Sequence, residues 1–361
     1  MSARALLPYM LVLACTHATP SPSPVPAQQP SATPAPAPTP PTLALASHAA
    51  TTPADDAGAP APATPAVDAG AARLPDGTAI ASCEDAPANM SCIPGGAMIR
   101  GTDDGPENTR PAATVHLQTF YMDRFEVTIA EYKACVRAGA CPKGGPFYPD
   151  FSRPHQPIVG MTWRGAKAFC EAHGKQLPTE AQWEKAARGD AGALHPWGDE
   201  RPSCRRAVIK DKRGRSCGTP MARSSEPYKG RTFVVGSRPA AAYGLYDMVG
   251  NAWEYVADWY APDYASCGDA CMGVDPKGPC GGVEPCPGHD QKLVKGGSWY
   301  WSGQLGNGAI RRAQPPDNRP FHHYGFRCAA SLEQAAALRG KPLAAEAPRE
   351  GEPNPDRERG L

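Results

Sequence analysis

The sequence has no Gly-x-Ser-x-Gly elbow, no phosphate-binding glycine loop and no His-x-x-x-His pair. Hydrolases built on a nucleophile elbow, P-loop nucleotide enzymes and metal sites of that histidine spacing are therefore excluded, because each needs those residue types in that order. An excess of either charge is missing too: 37 Lys and Arg face 36 Asp and Glu, for a formal net charge of +1. Both signs are interspersed, with no basic stripe for nucleic acid and no polybasic patch for a membrane surface. The one local cluster, Arg205-Arg206 with Lys210, Lys212, Arg213 and Arg215, reads as a solvated loop.

Large apolar side chains are nearly absent from His17 to about Thr78, a stretch of Ala, Pro, Thr and Ser. Such a segment has too little to bury to offset its chain entropy, and its prolines favour extended, stiff geometry. Residues 16–81 are therefore expected to be a disordered tether. Beyond Ser331 the composition returns to Ala, Glu, Arg and Pro, so 332–361 is expected to be a disordered tail with a short helix over Leu332–Leu338. The folded unit is placed at 82–331, which holds all seven tryptophans and is long enough to bury its own core.

At the N-terminus, one positive residue, Arg4, precedes an apolar run from Ala5 to Ala14 and then Cys15. These are the parts of an export signal. Val12-Leu13-Ala14-Cys15 resembles a bacterial lipobox, so residues 1–15 are expected to be a lipoprotein-type signal with Cys15 as the lipidated residue. The other reading is a plain secretory signal with an incidental cysteine. Lipidation would place the protein in the cell envelope, on a membrane facing the periplasm or at the outer membrane, through an anchor whose affinity grows with its buried methylenes.

Setting Cys15 aside leaves twelve of the thirteen cysteines, all between Cys83 and Cys328. An even number in an exported chain favours disulfides. Proximity suggests Cys83 with Cys92, Cys135 with Cys141, Cys204 with Cys217, Cys267 with Cys271, and Cys280 with Cys286, although spacing does not fix connectivity. A zinc cage from the four thiols of Cys267–Cys286 is the rival reading.

Three helices announce themselves by their caps. Thr128 with Glu131 and Thr179 with Gln182 are capping boxes, opening helices at Ile129 and at Glu180 that Gly139 and Gly189 end; Thr162 caps a third, through Cys170 to His173. Short apolar runs at Met98–Arg100, Thr114–Leu117, Val234–Gly236 and Leu293–Lys295 read as short strands among long loops. The fold class is α+β.

Four blocks carry the densest information: Gln176-Leu177-Pro178-Thr179-Glu180-Ala181-Gln182-Trp183-Glu184, then Gly244-Leu245-Tyr246-Asp247-Met248-Val249-Gly250-Asn251-Ala252-Trp253-Glu254-Tyr255, then Lys295-Gly296-Gly297-Ser298-Trp299, and finally Gly325-Phe326-Arg327-Cys328. In this order they resemble the sulfatase-modifying-factor family, whose founding activity is formylglycine generation. The resemblance covers about Ile93–Ser331 and implies a compact, loop-rich fold related to C-type lectin modules. It also implies a disulfide between Cys170 and Cys328, which in the chain-entropy model is worth roughly 4 kcal/mol or more.

What the resemblance implies for chemistry is divided. The family's oxidases bind copper(I) through two cysteines after the Gly-Gly-Ser block, soft ligands suited to that ion. Those positions fall on Trp301 and Gly306, and Pro287–Arg327 contains no cysteine at all. No catalytic residue and no copper site are therefore expected. Calcium is expected instead, since the family's ligand positions fall on Asp247, Gly250, Ala252 and Glu254, the middle two through backbone carbonyls. The competing reading has Asp247 hold a turn while Glu254 pairs with an arginine.

Ser298, Trp299, Trp301 and Arg311 are the candidates for lining a ligand cleft, with aromatic faces able to stack against a sugar or a peptide. Arg312, Arg319 and Arg327 are further arginines that an anion could meet. The first functional expectation is an envelope-anchored, non-catalytic binding or scaffolding module with an envelope protein, peptide or glycan as partner and no nucleic acid. The alternatives are a formylglycine-generating oxidase acting on a sulfatase cysteine through a rearranged site, another oxidation in the same cleft, or a purely structural partner of another envelope enzyme.

Overall fold

The computed structural model describes residues 72–146, 148–219, 230–317, 321–349, 351–357 and 359. The expected signal segment with Cys15, most of the tether and Arg319 lie outside the described residues. The elements in chain order are β1 (Met90–Ile93), β2 (Gly96–Arg100), β3 (Ala113–Leu117), β4 (Phe120–Asp123), α1 (Ile129–Arg137), α2 (Trp163–Ala172), α3 (Glu180–Arg188), β5 (Trp253–Trp259), α4 (Tyr264–Cys267), β6 (Lys292–Lys295), β7 (Arg312–Gln314), β8 (Tyr324–Gly325), β9 (Ala329–Ala330) and α5 (Leu332–Leu338). Helices and sheet are mixed, the helices few and the strands short, as the α+β reading requires.

The caps explain where the helices begin. Thr128 and Thr179 each accept from the third helical amide while Glu131 and Gln182 reach back to the cap amide, so two orphan donors are satisfied at each start. Thr162 accepts from Gly165 N at the start of α2. Gly189 ends α3 with φ +68.

Three small sheets result. β1, β4 and β9 pair antiparallel, β2 and β3 form an antiparallel ribbon, and the largest runs β7-β6-β5-β8, antiparallel except where β8 joins β5 in parallel. In that sheet Glu254 faces Lys295 and Trp253 faces Tyr324. One apolar core sits between α1, α2 and β5 around Tyr132, Trp163, Phe169, Trp253 and Phe326. A second lies under α3 around Trp183, Met98, Leu117 and Val256.

Six disulfides staple the loops: Cys83–Cys92, Cys135–Cys141, Cys170–Cys328, Cys204–Cys217, Cys267–Cys271 and Cys280–Cys286. They take all twelve cysteines from Cys83 to Cys328, so the zinc reading of Cys267–Cys286 does not hold. Cys170–Cys328 spans 158 residues and ties α2 to the chain just before β9.

Three expectations are corrected. Val234–Gly236 is a turn rather than a strand, because side chains claim its backbone: Asp356 accepts from Val234 N at 2.9 Å, Asn354 donates to Val235 O at 3.0 Å and Asp247 accepts from Gly236 N at 2.7 Å. The segment past Ser331 is packed rather than disordered. Ser331 caps α5 with its own capping box, and Asp356 is fully buried against Arg153 at 2.5 Å and Arg231 at 3.3 Å. The last residues of the expected tether also dock, with Leu74 buried and the Gln118 side chain bonding Ala81 N and Ala79 O. In both cases a few apolar side chains (Leu74 in one, Leu332, Ala335 and Leu338 in the other) are joined by long-range hydrogen bonds and ion pairs, so composition gave little sign of it.

Candidate functional site

The four sequence blocks converge on Glu254 in β5. Its carboxylate accepts from Trp183 Nε1 of α3 at 2.8 Å and takes the Arg327 fork at both oxygens, Nε to Oε2 at 2.8 Å and Nη2 to Oε1 at 2.7 Å. Arg327 then donates to the carbonyls of Asp123, Arg124 and Tyr246. The loop entering β5 is fixed in the same way. Glu126 accepts from Asn251 Nδ2 at 2.7 Å and from Ala252 N at 3.0 Å, and Asn251 Oδ1 accepts from Phe233 N at 2.8 Å. Gly250 passes so close to the chain that a Cβ there would sit 2.5 Å from Val208 O, at a φ of +83. Only glycine fits.

Of the proposed calcium ligands, Glu254 is engaged by Arg327 and Asp247 Oδ2 holds Gly236 N. Asp247 Oδ1 is buried with no hydrogen-bond partner. Burial pushes the Asp247 carboxyl up to about 6, against the pull of Gly236 N and Arg327, and burial with the neighbouring Asp247 and Glu254 charges raises Glu126 well above the carboxylate range. The donor set fits a cation in part. One orphan carboxylate oxygen favours it, while a guanidinium on Glu254 opposes it. Among the described residues no group of three or more His, Cys, Asp and Glu side chains is arranged to hold a metal ion.

The cleft differs from its sequence-based expectation. Ser298 and Trp299 are buried, the Trp299 indole donating to His322 O at 3.0 Å and packing on Phe151 and His322. Arg311 is buried elsewhere, its Nε and Nη2 on Glu180 at 2.8 and 3.1 Å and its Nη1 on the carbonyls of Asn108 and Ala261. Of the four cleft candidates, Trp301 lines an aromatic cavity that the other three do not. That cavity, about 410 Å³, is walled by Tyr148, Tyr300, Trp301, Arg312, Gln314, Phe321, His322, His323 and Tyr324. Tyr148 and Phe321, at 37 and 51 % exposure, put ring surface into solvent. The Arg312 guanidinium lies over Trp301, 5.4 Å from the ring centroid, and that of Arg215 over Tyr300 at 3.6 Å.

The cavity wall is mainly aromatic, with the Arg312 guanidinium its charged group and two imidazoles that are neutral. Burial lowers His322 to about 4 and His323 to about 3, with Arg215 lowering both further and His322 and Arg312 adding to the effect at His323, so both imidazoles are uncharged at neutral pH. His323 Nδ1 and Arg312 Nε are buried without a partner. Such a wall can stack on a ring and offers a few directed hydrogen bonds. It contains no thiol. Trp301 occupies the first position at which the resemblance puts a redox cysteine, and at the second, Gly306, a Cβ would lie 2.4 Å from Val249 Cγ1. A side chain there requires Val249 to move. Apart from Trp301 and Arg312, the lining does not follow from the sequence reading, although the run Phe321-His322-His323-Tyr324 is an available signal.

The description "Sulfatase-modifying factor enzyme 1-like domain" matches residues 77–332. The chain belongs to this family. It is 30% identical over 300 residues to the formylglycine-generating enzyme of Thermomonospora curvata, covering 69% of this chain and 95% of that protein. It is 27% identical over 293 residues to a mouse protein named inactive C-alpha-formylglycine-generating enzyme 2, covering 67% of this chain and 85% of that one. Among solved structures it resembles PvdO from Pseudomonas aeruginosa, with a TM-score of 0.50 and 26% identity over 67% of this chain and 94% of that one.

α3 also carries a buried charge cluster, in which Glu180, Glu184 and Lys295 come from the family blocks. Glu180 and Glu184 share Lys295 at 3.3 and 3.2 Å, Glu180 holds Arg311, Glu184 pairs with Arg188, and Tyr264 OH donates to Glu180 at 3.2 Å. Burial pushes Glu180 up, but Arg311 and Lys295 more than offset it and hold it down to about 2, from 4.5. A carboxylate depressed in the folded state contributes stability that is present above the unfolded value and lost as pH falls toward the folded one. Urea denaturation should therefore show stability falling between about pH 4.5 and 2. Glu180→Gln should flatten that slope and, by leaving buried Arg311 without its carboxylate, cost about 3–5 kcal/mol at pH 7. An unchanged slope would show that this cluster does not govern acid unfolding.

Proposed function

We propose that this protein is an envelope-anchored, non-catalytic binding module, with the cavity of Tyr300, Trp301, His322 and His323 receiving a ring-bearing group of a glycan or peptide. One observation carries the reading: of the two positions where the family's oxidases have thiols, one is the indole of Trp301 in the aromatic cavity and the other is Gly306, where Val249 fills the space a side chain would need. With every cysteine from Cys83 to Cys328 in a disulfide, no thiolate pair remains to bind copper(I). The relative whose name says it is inactive supports the reading by analogy, since a shared fold does not fix function. The opposite reading, a formylglycine-generating oxidase, is favoured by the 30% identity to an enzyme of that name. Purified protein given copper(I) and a sulfatase-type cysteine peptide is expected to consume no oxygen above background and to form no aldehyde. Turnover would defeat the binding-module reading.

Anchoring rests on the Val12-Leu13-Ala14-Cys15 sequence. In a host that processes lipoproteins, the full chain should incorporate a labelled fatty acid and Cys15→Ala should abolish incorporation. Label retained in that variant would remove the anchor from the proposal.

A calcium ion at Asp247 is also part of it, supported by the orphaned Asp247 Oδ1. Calcium should raise the melting temperature relative to chelator-treated protein, and Asp247→Ala should lose that response. Equal melting with and without the ion would exclude a calcium site.

A further inference from the structure

A second cavity, separate from the aromatic cleft, opens beside the turn that precedes the Gly244–Tyr255 block. It measures about 550 Å³ and is lined by Arg205, Ser237, Arg238, Tyr246 and Arg357 together with Gly236, Pro239 and Ala240. Three of the lining residues are arginines and none is acidic.

Two adjacent lining residues each carry a buried polar atom with no partner. Arg238 spends Nη1 on the carbonyls of Ser237, Asp356 and Arg357, and Nη2 on that of Arg359 at 2.8 Å, yet its Nε is buried and unpaired. Ser237 Oγ, on the adjacent residue, is likewise buried and unpaired. Both residues are nearly inaccessible, at 3 and 1 % exposure. An unsatisfied donor in such a place costs free energy unless something meets it. Asp247 and Asp356 attract Arg238 from outside the lining, which offsets its own charge. The surplus positive charge is that of Arg205 and Arg357, which are exposed at the cavity and have no acidic side-chain partner among the described residues.

We propose that this cavity binds an oxyanion group, sulfate or phosphate, borne on a larger molecule, with Arg238 Nε and Ser237 Oγ donating to it and Arg205 and Arg357 closing over it. Guanidinium forks and a hydroxyl are the donors such oxygens call for. The volume exceeds that of a bare anion several-fold, leaving room beside the Tyr246 ring for the body of the ligand. The Arg205-Arg206 cluster, read from sequence as a solvated loop, supplies one of these donors.

The test is calorimetric titration of the full chain with inorganic phosphate, inorganic sulfate and glucose 6-sulfate, each against sodium chloride at matched ionic strength. Saturable binding is expected, tighter for glucose 6-sulfate if the sugar body is held. A preference for phosphate over both sulfates would assign the site to phosphate esters. Arg205→Glu and Arg357→Glu, both at exposed positions, should each weaken binding at least tenfold while leaving the melting temperature without ligand unchanged. Trp301→Ala, in the other cavity, should bind as wild type does. No heat beyond the chloride control, or wild-type affinity in both arginine variants, would overturn the proposal.

Discussion

The Glu254–Arg327 pair is the joint on which this fold turns. Taking two charges out of water is costly, and the cost is met only if the geometry is good and the remaining hydrogen-bonding positions are filled. Here they are filled by groups from different parts of the chain: Trp183 from α3 on one side, the carbonyls of Asp123, Arg124 and Tyr246 on the other. Removing either member would leave its partner buried and unpaired. The pair therefore fixes α3, β4, the Tyr246–Glu254 loop and the chain after β8 in one arrangement, and the Cys170–Cys328 bridge, one residue from Arg327, holds α2 to the same place. The charge cluster of Glu180, Glu184, Lys295 and Arg311 repeats the principle one layer away.

A scaffold secured in this way tolerates change at its mouth. The cleft is built from loops and short strands, with Tyr148, Tyr300, Trp301 and Phe321 among its lining rings and buried Trp299 and Phe151 packed against His322. Trp301 stands at one of the positions where the resemblance puts a cysteine, and with its neighbours it makes a surface suited to stacking. Neutral His322 and His323 add polarity without charge. The second cavity is the more positive of the two, lined by three arginines and without acidic walls.

Sequence reading reached furthest where one residue type answers one local need. The threonine caps and their reaching partners at Thr128–Glu131 and Thr179–Gln182 mark helix starts because only those side chains satisfy the free amides there. The four blocks were legible through their resemblance to a known family, and the structure shows that they carry the buried charge pairs of Glu254 with Arg327 and of Glu184 with Lys295. It failed where a segment is held by someone else's side chains. Val234–Gly236 looks like a strand by its valines, yet Asp356, Asn354 and Asp247 claim its backbone. The chain past Ser331 looks unable to fold alone, and it docks through Asp356 onto Arg153 and Arg231 across more than a hundred residues of sequence. Arg311 looked available to a ligand because nothing local shows that Glu180, on α3, takes its fork. Long-range ionic pairing leaves no periodic trace.

The absence of available sulfur in the cleft is open to direct measurement. The native, unreduced full chain, denatured and alkylated, would be digested and mapped by mass spectrometry. None of the twelve cysteines from Cys83 to Cys328 should carry the alkyl group, and Cys170 should be recovered linked to Cys328. A stoichiometric pair of alkylated cysteines would contradict a thiol-free binding cleft and return the protein to the family's redox chemistry.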